Sequence, residues 1–168
     1  MCRGDFFIFL DSDCVIPEPD RFFTQALFAI SEYQNLVALT AYLHVVPREE
    51  TFGDKLVRGI ANLGLRLENN IVFNRGELSG ELQTIRREAA TRLGGIREDL
   101  VTIQDADRFR RLSEIGKTVI HPELMVLHSG RRAHQVGWPR LIFMWLVNSF
   151  FVSVYNRSFT TRDWTAIR

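Results

Sequence analysis

FFIFLDSD, residues 6–13, is the part of the sequence that says most about the architecture. Five apolar residues in a row, bounded by polar ones, predict a buried strand that is parallel to its neighbours and central in its sheet. Asp11 and Asp13 follow that strand directly. Because ligands of open α/β sheets bind just beyond the carboxyl ends of the strands, these two aspartates are candidates for a functional site.

Strand-like and helix-like segments alternate along the rest of the chain. Apolar residues at helical spacing predict helices over residues 20–35, 50–69, 87–93 and 105–115. Short apolar runs predict further strands over residues 36–46, 82–85, 118–120 and 124–127. This alternation indicates an α/β protein in which helices flank a Rossmann-like mixed sheet.

The same periodicity predicts which side of each helix carries its apolar residues. In the first helix the stripe comprises Phe23, Ala26, Leu27, Ile30 and Tyr33. In the helix over residues 50–69 it comprises Leu56, Ile60, Leu63 and Leu67. In the helix over residues 105–115, Phe109, Leu112 and Ile115 face inward.

The C-terminal part of the chain contains sixteen uncharged residues between Arg140 and Arg157. That length is short of the roughly 20 apolar residues that a membrane-spanning helix needs. Ser149, Ser153 and Asn156 recur at helical spacing and give the segment a mildly polar side. We expect an amphipathic helix that packs on the domain or lies on a membrane surface. The chain is accordingly divided into a domain at 1–137 and a helix with a tail at 138–168.

Composition is typical of a globular domain, with 46% hydrophobic and 24% charged residues among 168, and it excludes disordered and fibrous classes. The net charge of +1 conceals an arginine-rich end, because residues 129–168 contain six Arg and one acid. Such an end attracts phosphate or anionic lipid. The two cysteines have no metal-type spacing, which favours a reducing cytoplasmic location, including the inner face of the membrane.

Three sets of polar residues could carry chemistry. Asp11 and Asp13 could hold a hard divalent cation, or could serve a turn and a helix cap. Asp105 begins a predicted helix, where it could cap the helix or act as a general base. His128 follows a predicted strand, and neutral histidine can complete a metal shell, although a lone histidine at a strand end is more often structural.

The order of four motifs resembles the large family of inverting, nucleotide-sugar-dependent glycosyltransferases with the GT-A fold. The resemblance covers about residues 4–140. The matching blocks are Gly4–Asp13, Gly80–Glu88 with Leu93–Glu98, Gln104–Asp107, and His128–Arg132. Gln104 departs from the family, which usually has glutamate there, whereas Asp105 is retained.

The resemblance implies a role for each block. Asp11, Asp13 and His128 would hold Mg²⁺ or Mn²⁺ on the nucleotide diphosphate, or Asp11 would instead contact the ribose or nucleotide. Asp105 would be the general base. The donor diphosphate would be bound by Arg131 and Arg132. The acceptor side would comprise Gly80, Glu81, Arg86, Gly94 and Gly95. The implied partners are a nucleotide-sugar donor and a glycan or lipid acceptor, with peripheral membrane contact through residues 139–157 and no nucleic acid.

The family's first strand and its nucleotide-base loop would precede Asp11 by many tens of residues, but here only ten residues do. We therefore expect an N-terminally truncated domain whose central strand is left as an exposed edge.

Two other functions are compatible with the sequence. A phosphatase of the haloacid-dehalogenase type would use Asp11 as nucleophile and Asp13 as acid/base, with Thr40, Lys117 and Asp105 or Asp107 as its later motifs. A degenerate, non-catalytic domain would bind a partner or a membrane through residues 138–157.

Overall fold

The computed structural model describes residues 4–72, 80–95, 97–100 and 103–159. They form a five-stranded mixed sheet with helices packed against it. The strands are β1 (Phe6–Leu10), β2 (Cys14–Val15), β3 (Leu36–Val45), β4 (Leu82–Arg86) and β5 (Lys117–His128). The helices are α1 (Pro19–Glu32), α2 (Phe52–Arg66, continued by a π-helical segment, Leu67–Val72), α3 (Arg87–Leu93), α4 (Gln104–Ile115), α5 (Arg131–Val136) and α6 (Trp138–Tyr155).

The strand order is β1-β4-β3-β5-β2. β3 and β5 are parallel, whereas β4 is antiparallel to both of its neighbours, β1 and β3. Consequently β1, β3 and β5 all run in one direction, and they end at Leu10, Val45 and His128. We call this side of the sheet the carboxyl edge. The mixed α/β architecture predicted from the sequence is confirmed.

The prediction that β1 has parallel neighbours is wrong, whereas the exposed edge that was also expected is observed in the described part of the chain. The strand lies at the end of the order, pairs antiparallel with β4, and has no neighbour on its outer side in the described part of the chain. Ile8 and Leu10 are each 42% exposed. Guanidinium groups cover part of the strand, with the Arg108 carbon Cζ 4.1 Å from the centre of the Phe9 ring. An apolar run identifies a strand, but the strand's neighbours depend on the rest of the sheet.

Two apolar clusters form the core. In the first, α1 packs Phe22, Ala26, Ala29 and Ile30 against β3 and β5. In the second, α3 and α4 pack Ala89, Phe109 and Leu112 against β3 and β4. The predicted apolar stripe of α1 is rotated by about one residue, because Leu27 and Tyr33 are exposed.

The other predicted elements need three corrections, and the first is the short strand β2, which was not predicted. β5 is one continuous strand with a register shift near His121, where two separate strands were predicted. A short helix, α5, precedes α6 and was not predicted. The predicted helix 87–93 is confirmed, and Gly94 ends it in the left-handed conformation at φ 78°. The helix α6 is also confirmed, and no helix in the described ranges is long and apolar enough to cross a membrane.

Candidate active site

The segment after β1 lies beside the end of β5 at the carboxyl edge. Cys14 pairs with His128 across the β2–β5 ladder, which brings Asp13 next to the loop after β5. The Asp13 oxygen Oδ2 lies 3.2 Å from the Ser129 hydroxyl and 3.4 Å from Nη2 of Arg131. Two of the predicted blocks, far apart in sequence, therefore meet here.

Asp11 lies where β1 meets the start of β4, since its backbone N–H donates to the Glu81 carbonyl at 3.0 Å. Burial raises the pKa of Asp11 to about 6, the charges of Asp105 and Asp13 add to that rise, and the charge of Arg108 opposes it. The charges of Asp13 and Asp105 thus both act on Asp11, because each carboxylate disfavours the ionised form of its neighbours.

Asp105 is fixed in the first turn of α4 by a buried arginine. Arg108 donates from Nη2 to Asp105 Oδ1 at 2.8 Å and from Nε to Gln83 Oε1 at 2.6 Å. The Gln83 amide donates in turn to the Asp105 backbone carbonyl at 3.0 Å. Burial raises the pKa of Asp105, and Arg108 opposes the rise. This arrangement gives an oriented carboxylate that binds a proton more readily than an exposed aspartate does.

His128 is only 8% exposed, and within the described part of the chain its Nε2 has no hydrogen-bond partner. Burial lowers the pKa of His128 to about 4, and the nearby charge of Arg58 contributes to the lowering. The imidazole is therefore neutral at pH 7. A neutral ring with a free nitrogen is a competent ligand for a metal or a polar substrate group.

The donor chemistry of Asp11 and Asp13 fits Mg²⁺ or Mn²⁺, which bind carboxylate oxygens and complete their shells with water and phosphate. However, no group of three or more His, Cys, Asp or Glu side chains in the described ranges is arranged to hold a metal ion. The three predicted ligands, Asp11, Asp13 and His128, thus do not form a metal site by themselves. Two carboxylates completed by a substrate diphosphate remain compatible with the geometry.

The two arginines predicted to bind a diphosphate both lie near Asp13. Arg131 begins α5, and its Nε donates to the Ser129 hydroxyl at 2.9 Å. Burial lowers the pKa of Arg132, and the charge of Asp13 opposes that effect. Both guanidinium groups are thus at the same end of the site as the predicted metal ligands.

The predicted acceptor-side residues divide into two groups. Gly80 lies against Asp105, at a φ of 98° that favours glycine, and a Cβ there would be 3.7 Å from Oδ2 of Asp105. Glu81 is its neighbour, just before β4. Arg86 lies at the opposite end of β4.

The guanidinium of Arg86 donates to backbone carbonyls near the start of β3, including that of Leu36 at 2.8 Å. Gly94 and Gly95 lie beyond α3, where Arg111 donates to the Gly95 carbonyl at 3.3 Å. The structure does not bring these three residues to the carboxyl edge.

Sequence reasoning missed three buried residues of this region: Asp54, Arg58 and Arg108. Nη2 of Arg58 lies 3.8 Å from Oε1 of Glu81, and the Arg58 Cζ lies 5.2 Å from the centre of the Trp138 ring. The sequence spacing of two residue pairs could have indicated Arg108 and Asp54. Asp105 and Arg108 are three residues apart on a helix, and Thr51 and Asp54 have the spacing of a capping box.

The solved structures include a similar chain, the mannosyltransferase PcManGT from Pyrobaculum calidifontis in complex with GDP-Man and Mn²⁺. The TM-score is 0.66 over 92% of the present chain, at 19% sequence identity. The fold is similar to a glycosyltransferase fold. The present chain spans 40% of the length of that mannosyltransferase chain. No protein-family model and no curated protein matches the sequence.

Proposed function

We propose that this chain carries the catalytic part of a glycosyltransferase of the inverting GT-A type. It would move a sugar from a nucleotide-diphosphate sugar to an acceptor hydroxyl. The observation that carries the proposal is the contact of Asp13 with Ser129 and Arg131 at the carboxyl edge of a glycosyltransferase-like sheet. This edge is where α/β sheets bind their ligands.

The donor end of the site comprises Asp11 and Asp13, with His128, Arg131 and Arg132 beside them. The two carboxylates would hold Mg²⁺ or Mn²⁺, which when bound neutralises charge on the leaving diphosphate. The two arginines pair with diphosphate oxygens, because their planar and permanent charge matches those groups. The neutral imidazole of His128 can accept or donate one hydrogen bond at the same end.

The acceptor end is centred on Asp105. Its pKa is raised by burial, while Arg108 stabilises the ionised form, so the carboxylate can take a proton from an acceptor hydroxyl. That oxygen then attacks the anomeric carbon from the face opposite the diphosphate, and the nucleoside diphosphate leaves with inversion. Gly80 lies beside Asp105, and Gly80 and Glu81 would line the acceptor side.

The proposed acceptor is a glycan or a lipid, and the proposed location is the inner face of the cytoplasmic membrane. The outward side of α6 supports this, since Phe143, Leu146 and Phe150 are each more than half exposed. The helix also contains no acidic residue, and Arg140 and Arg157 lie near its ends. This composition suits contact with anionic lipid through residues 139–157.

The phosphatase hypothesis is not supported by the geometry. Lys117 begins β5 opposite Leu36, at the end of the sheet away from Asp11. The Thr40 hydroxyl donates to the Leu82 carbonyl at 2.6 Å and is buried. Lys117 is therefore not at Asp11, and the Thr40 hydroxyl is already engaged by the backbone.

Titration calorimetry with Mn²⁺ and a set of nucleoside diphosphates tests the donor end. Wild-type protein should bind a diphosphate only when metal is present, and Asp13→Asn should lose this binding. Asp99→Asn is the matched control, because that exposed aspartate pairs with Arg97 away from the carboxyl edge. Metal-independent binding, or binding unchanged in Asp13→Asn, would count against the proposed site.

Release of nucleoside diphosphate from a nucleotide sugar tests the acceptor end. Asp105→Asn should keep metal-dependent binding of the diphosphate but lose turnover by at least about a hundredfold, as expected for removal of a general base. A folded Asp105→Asn protein with wild-type turnover would refute the assignment of the base. Hydrolysis of a simple aryl phosphate by the wild type would instead revive the phosphatase hypothesis.

A further inference from the structure

The helix α2 is inverted with respect to the usual amphipathic pattern. Its polar side chains face the protein, where Asp54, Arg58 and Asn62 are 0%, 6% and 5% exposed. Its large apolar side chains, together with those of the π-helical segment, face outward. These exposed residues are Phe52, Leu56, Ile60, Leu63, Leu67 and Ile71, which we call the α2 apolar stripe.

Hydrogen bonds on the inner side fix this orientation. The Asn62 amide donates to the Leu43 carbonyl at 3.0 Å and accepts from the Leu43 N–H at 3.2 Å. Asn70 makes the same pair of bonds with Ile120. Rotating the helix to bury its apolar side would leave these backbone groups and the charges of Asp54 and Arg58 without their partners, which is costly in a buried position.

The stripe is long and unobstructed. From Phe52 to Ile71 it extends about 28 Å at the rise of a helix, and its members are 41% to 81% exposed. Gly59 and Gly64 lie on the same helix, and a Cβ at either would have no atom within 4 Å. Contiguous exposed apolar surfaces of this kind mark sites that contact a partner or a membrane.

The charges beside the stripe indicate what covers it. The exposed charged residues of α2 are Lys55 and Arg66, both cationic, because its acid, Asp54, is buried. Glu50, the ion-pair partner of Lys55, is itself largely buried. Glu68 of the π-helical segment is partly exposed, but Lys55 and Arg66, the charged residues classed as exposed along the described α2 and π-helical segment, are both basic. An apolar face with mainly basic flanks matches a bilayer that contains anionic headgroups. Two copies packed through this face would bring cations against cations, which disfavours a dimer.

We propose that the α2 apolar stripe docks the protein on the surface of an anionic lipid bilayer. The apolar side chains would enter the boundary between headgroups and acyl chains, while Lys55 and Arg66 would contact lipid phosphates. This inference does not depend on the proposed glycosyl transfer, since no residue of the stripe belongs to the candidate active site.

Flotation with vesicles tests the proposal on the whole chain. Vesicles of phosphatidylcholine alone are compared with vesicles of phosphatidylcholine and phosphatidylglycerol in equal parts. Wild-type protein should float with the anionic vesicles and much less with the neutral ones, and added salt should weaken the binding. The double variant Ile60→Ser, Leu63→Ser should bind the anionic vesicles roughly a hundredfold more weakly, since both side chains lose apolar burial in lipid.

Two controls separate docking from misfolding. Phe28→Ser changes an equally exposed apolar residue on α1 and should leave vesicle binding unchanged. Gly59→Asp adds an acid in open space and should weaken binding, whereas Gly59→Ala should not. Circular dichroism should show the same helix content in all these proteins.

The proposal is overturned if wild-type protein does not float, if it binds neutral and anionic vesicles equally, or if Ile60→Ser, Leu63→Ser binds as well as wild type. It is also overturned if wild type is a dimer by light scattering and the double variant is a monomer without any change in vesicle binding. That result would identify the stripe as an interface between copies of this chain.

Discussion

The carboxylate of Asp54 accepts a hydrogen bond from the indole Nε1 of Trp138 at 2.8 Å, although 84 positions separate the two residues in sequence. Its other oxygen accepts from His134 at 2.8 Å and from the Thr51 backbone at 2.7 Å. Asp54 is fully buried. One side chain thus joins the start of α2 to α5 and α6. These two helices follow the loop after β5, in which Ser129 contacts Asp13.

Replacing Asp54 with alanine should therefore destabilise the protein. The change removes a fully buried carboxylate that accepts hydrogen bonds from Trp138, His134 and Thr51, and we expect a loss of about 2–3 kcal/mol in the free energy of unfolding. Urea denaturation measures it. Glu32→Gln, at an exposed position in the last turn of α1, should change stability by no more than about 0.5 kcal/mol. Equal stabilities of the two variants would contradict the prediction.

The same carboxylate should make stability depend on pH in the acid range. Burial raises the pKa of Asp54, but hydrogen bonds from His134, Thr51 and Trp138 outweigh it and hold the pKa well below the ordinary value of 3.8. The folded state thus binds this proton more weakly than the unfolded state does. The stabilising contribution is present above about pH 4 and is lost as the pH falls towards the folded-state pKa.

Denaturation over a series of acid pH values tests this sign. Between about pH 4 and pH 2 the free energy of unfolding should fall more steeply for wild type than for Asp54→Asn, which cannot titrate at this position. Parallel curves for the two proteins would show that Asp54 has the same pKa when folded and unfolded.

Gly130 should not tolerate a methyl group, although its backbone angle of φ −70° suits any residue. A Cβ there would lie 2.6 Å from Cε1 of His134 and 3.1 Å from Cγ1 of Val45. Gly130→Ala should displace the imidazole from Asp54 and cost about 1–3 kcal/mol of stability. The penalty should be smaller in a His134→Ala background. A double-mutant cycle by urea denaturation measures this coupling, and strictly additive losses would contradict it.

The glycines of α2 should respond in the opposite way. Gly59→Ala and Gly64→Ala place a methyl group in open space within a helix, so each should stabilise the protein by about 0.5–1 kcal/mol through helix propensity. Gly116→Ala should destabilise it, because a Cβ there would lie 2.5 Å from Cγ1 of Val37 and 2.9 Å from the Asn35 carbonyl oxygen. Thermal denaturation should give a higher midpoint temperature for Gly59→Ala and Gly64→Ala and a lower one for Gly116→Ala.

Arg108 should set the pH range in which Asp105 works. Its charge lowers the pKa of Asp105 against the effect of burial, so Arg108→Met should raise that pKa further. Since a general base must be ionised, the acid limb of the kcat/KM profile should move to higher pH. Arg108→Lys, which keeps the charge, should shift the limb less. An unchanged limb in a folded Arg108→Met enzyme would show that Asp105 is not the titrating base.

Much of the candidate site follows from the sequence because it rests on strand direction. Asp11 and Asp13 follow a recognisable strand, and His128 ends another, so parallel strands bring them to one edge. Arg108 could not be assigned in the same way. Its role depends on Gln83 of β4 and on the ring of Phe9, which reach α4 only when the sheet is assembled.

Arg86 shows the converse case. Its place in a family-like motif suggested contact with the acceptor, yet its guanidinium donates to the carbonyl of Leu36 at the far end of the sheet. A motif records the order of residues along the chain. The direction of β4 decides at which end of the sheet each of them lies.

The sequence by itself determined most of the strands and helices and where several of them end, although β2 and α5 were not predicted. Apolar periodicity, proline and glycine act within a few residues, as at Gly94, so these features need no knowledge of distant partners. Only the tertiary structure decided that β1 pairs antiparallel with β4 and that the apolar side of α2 faces outward. Strand pairing and buried hydrogen bonds, such as that between Asn62 and Leu43, join residues far apart in the chain, and their free energy outweighs the local preference of an apolar stripe for the core.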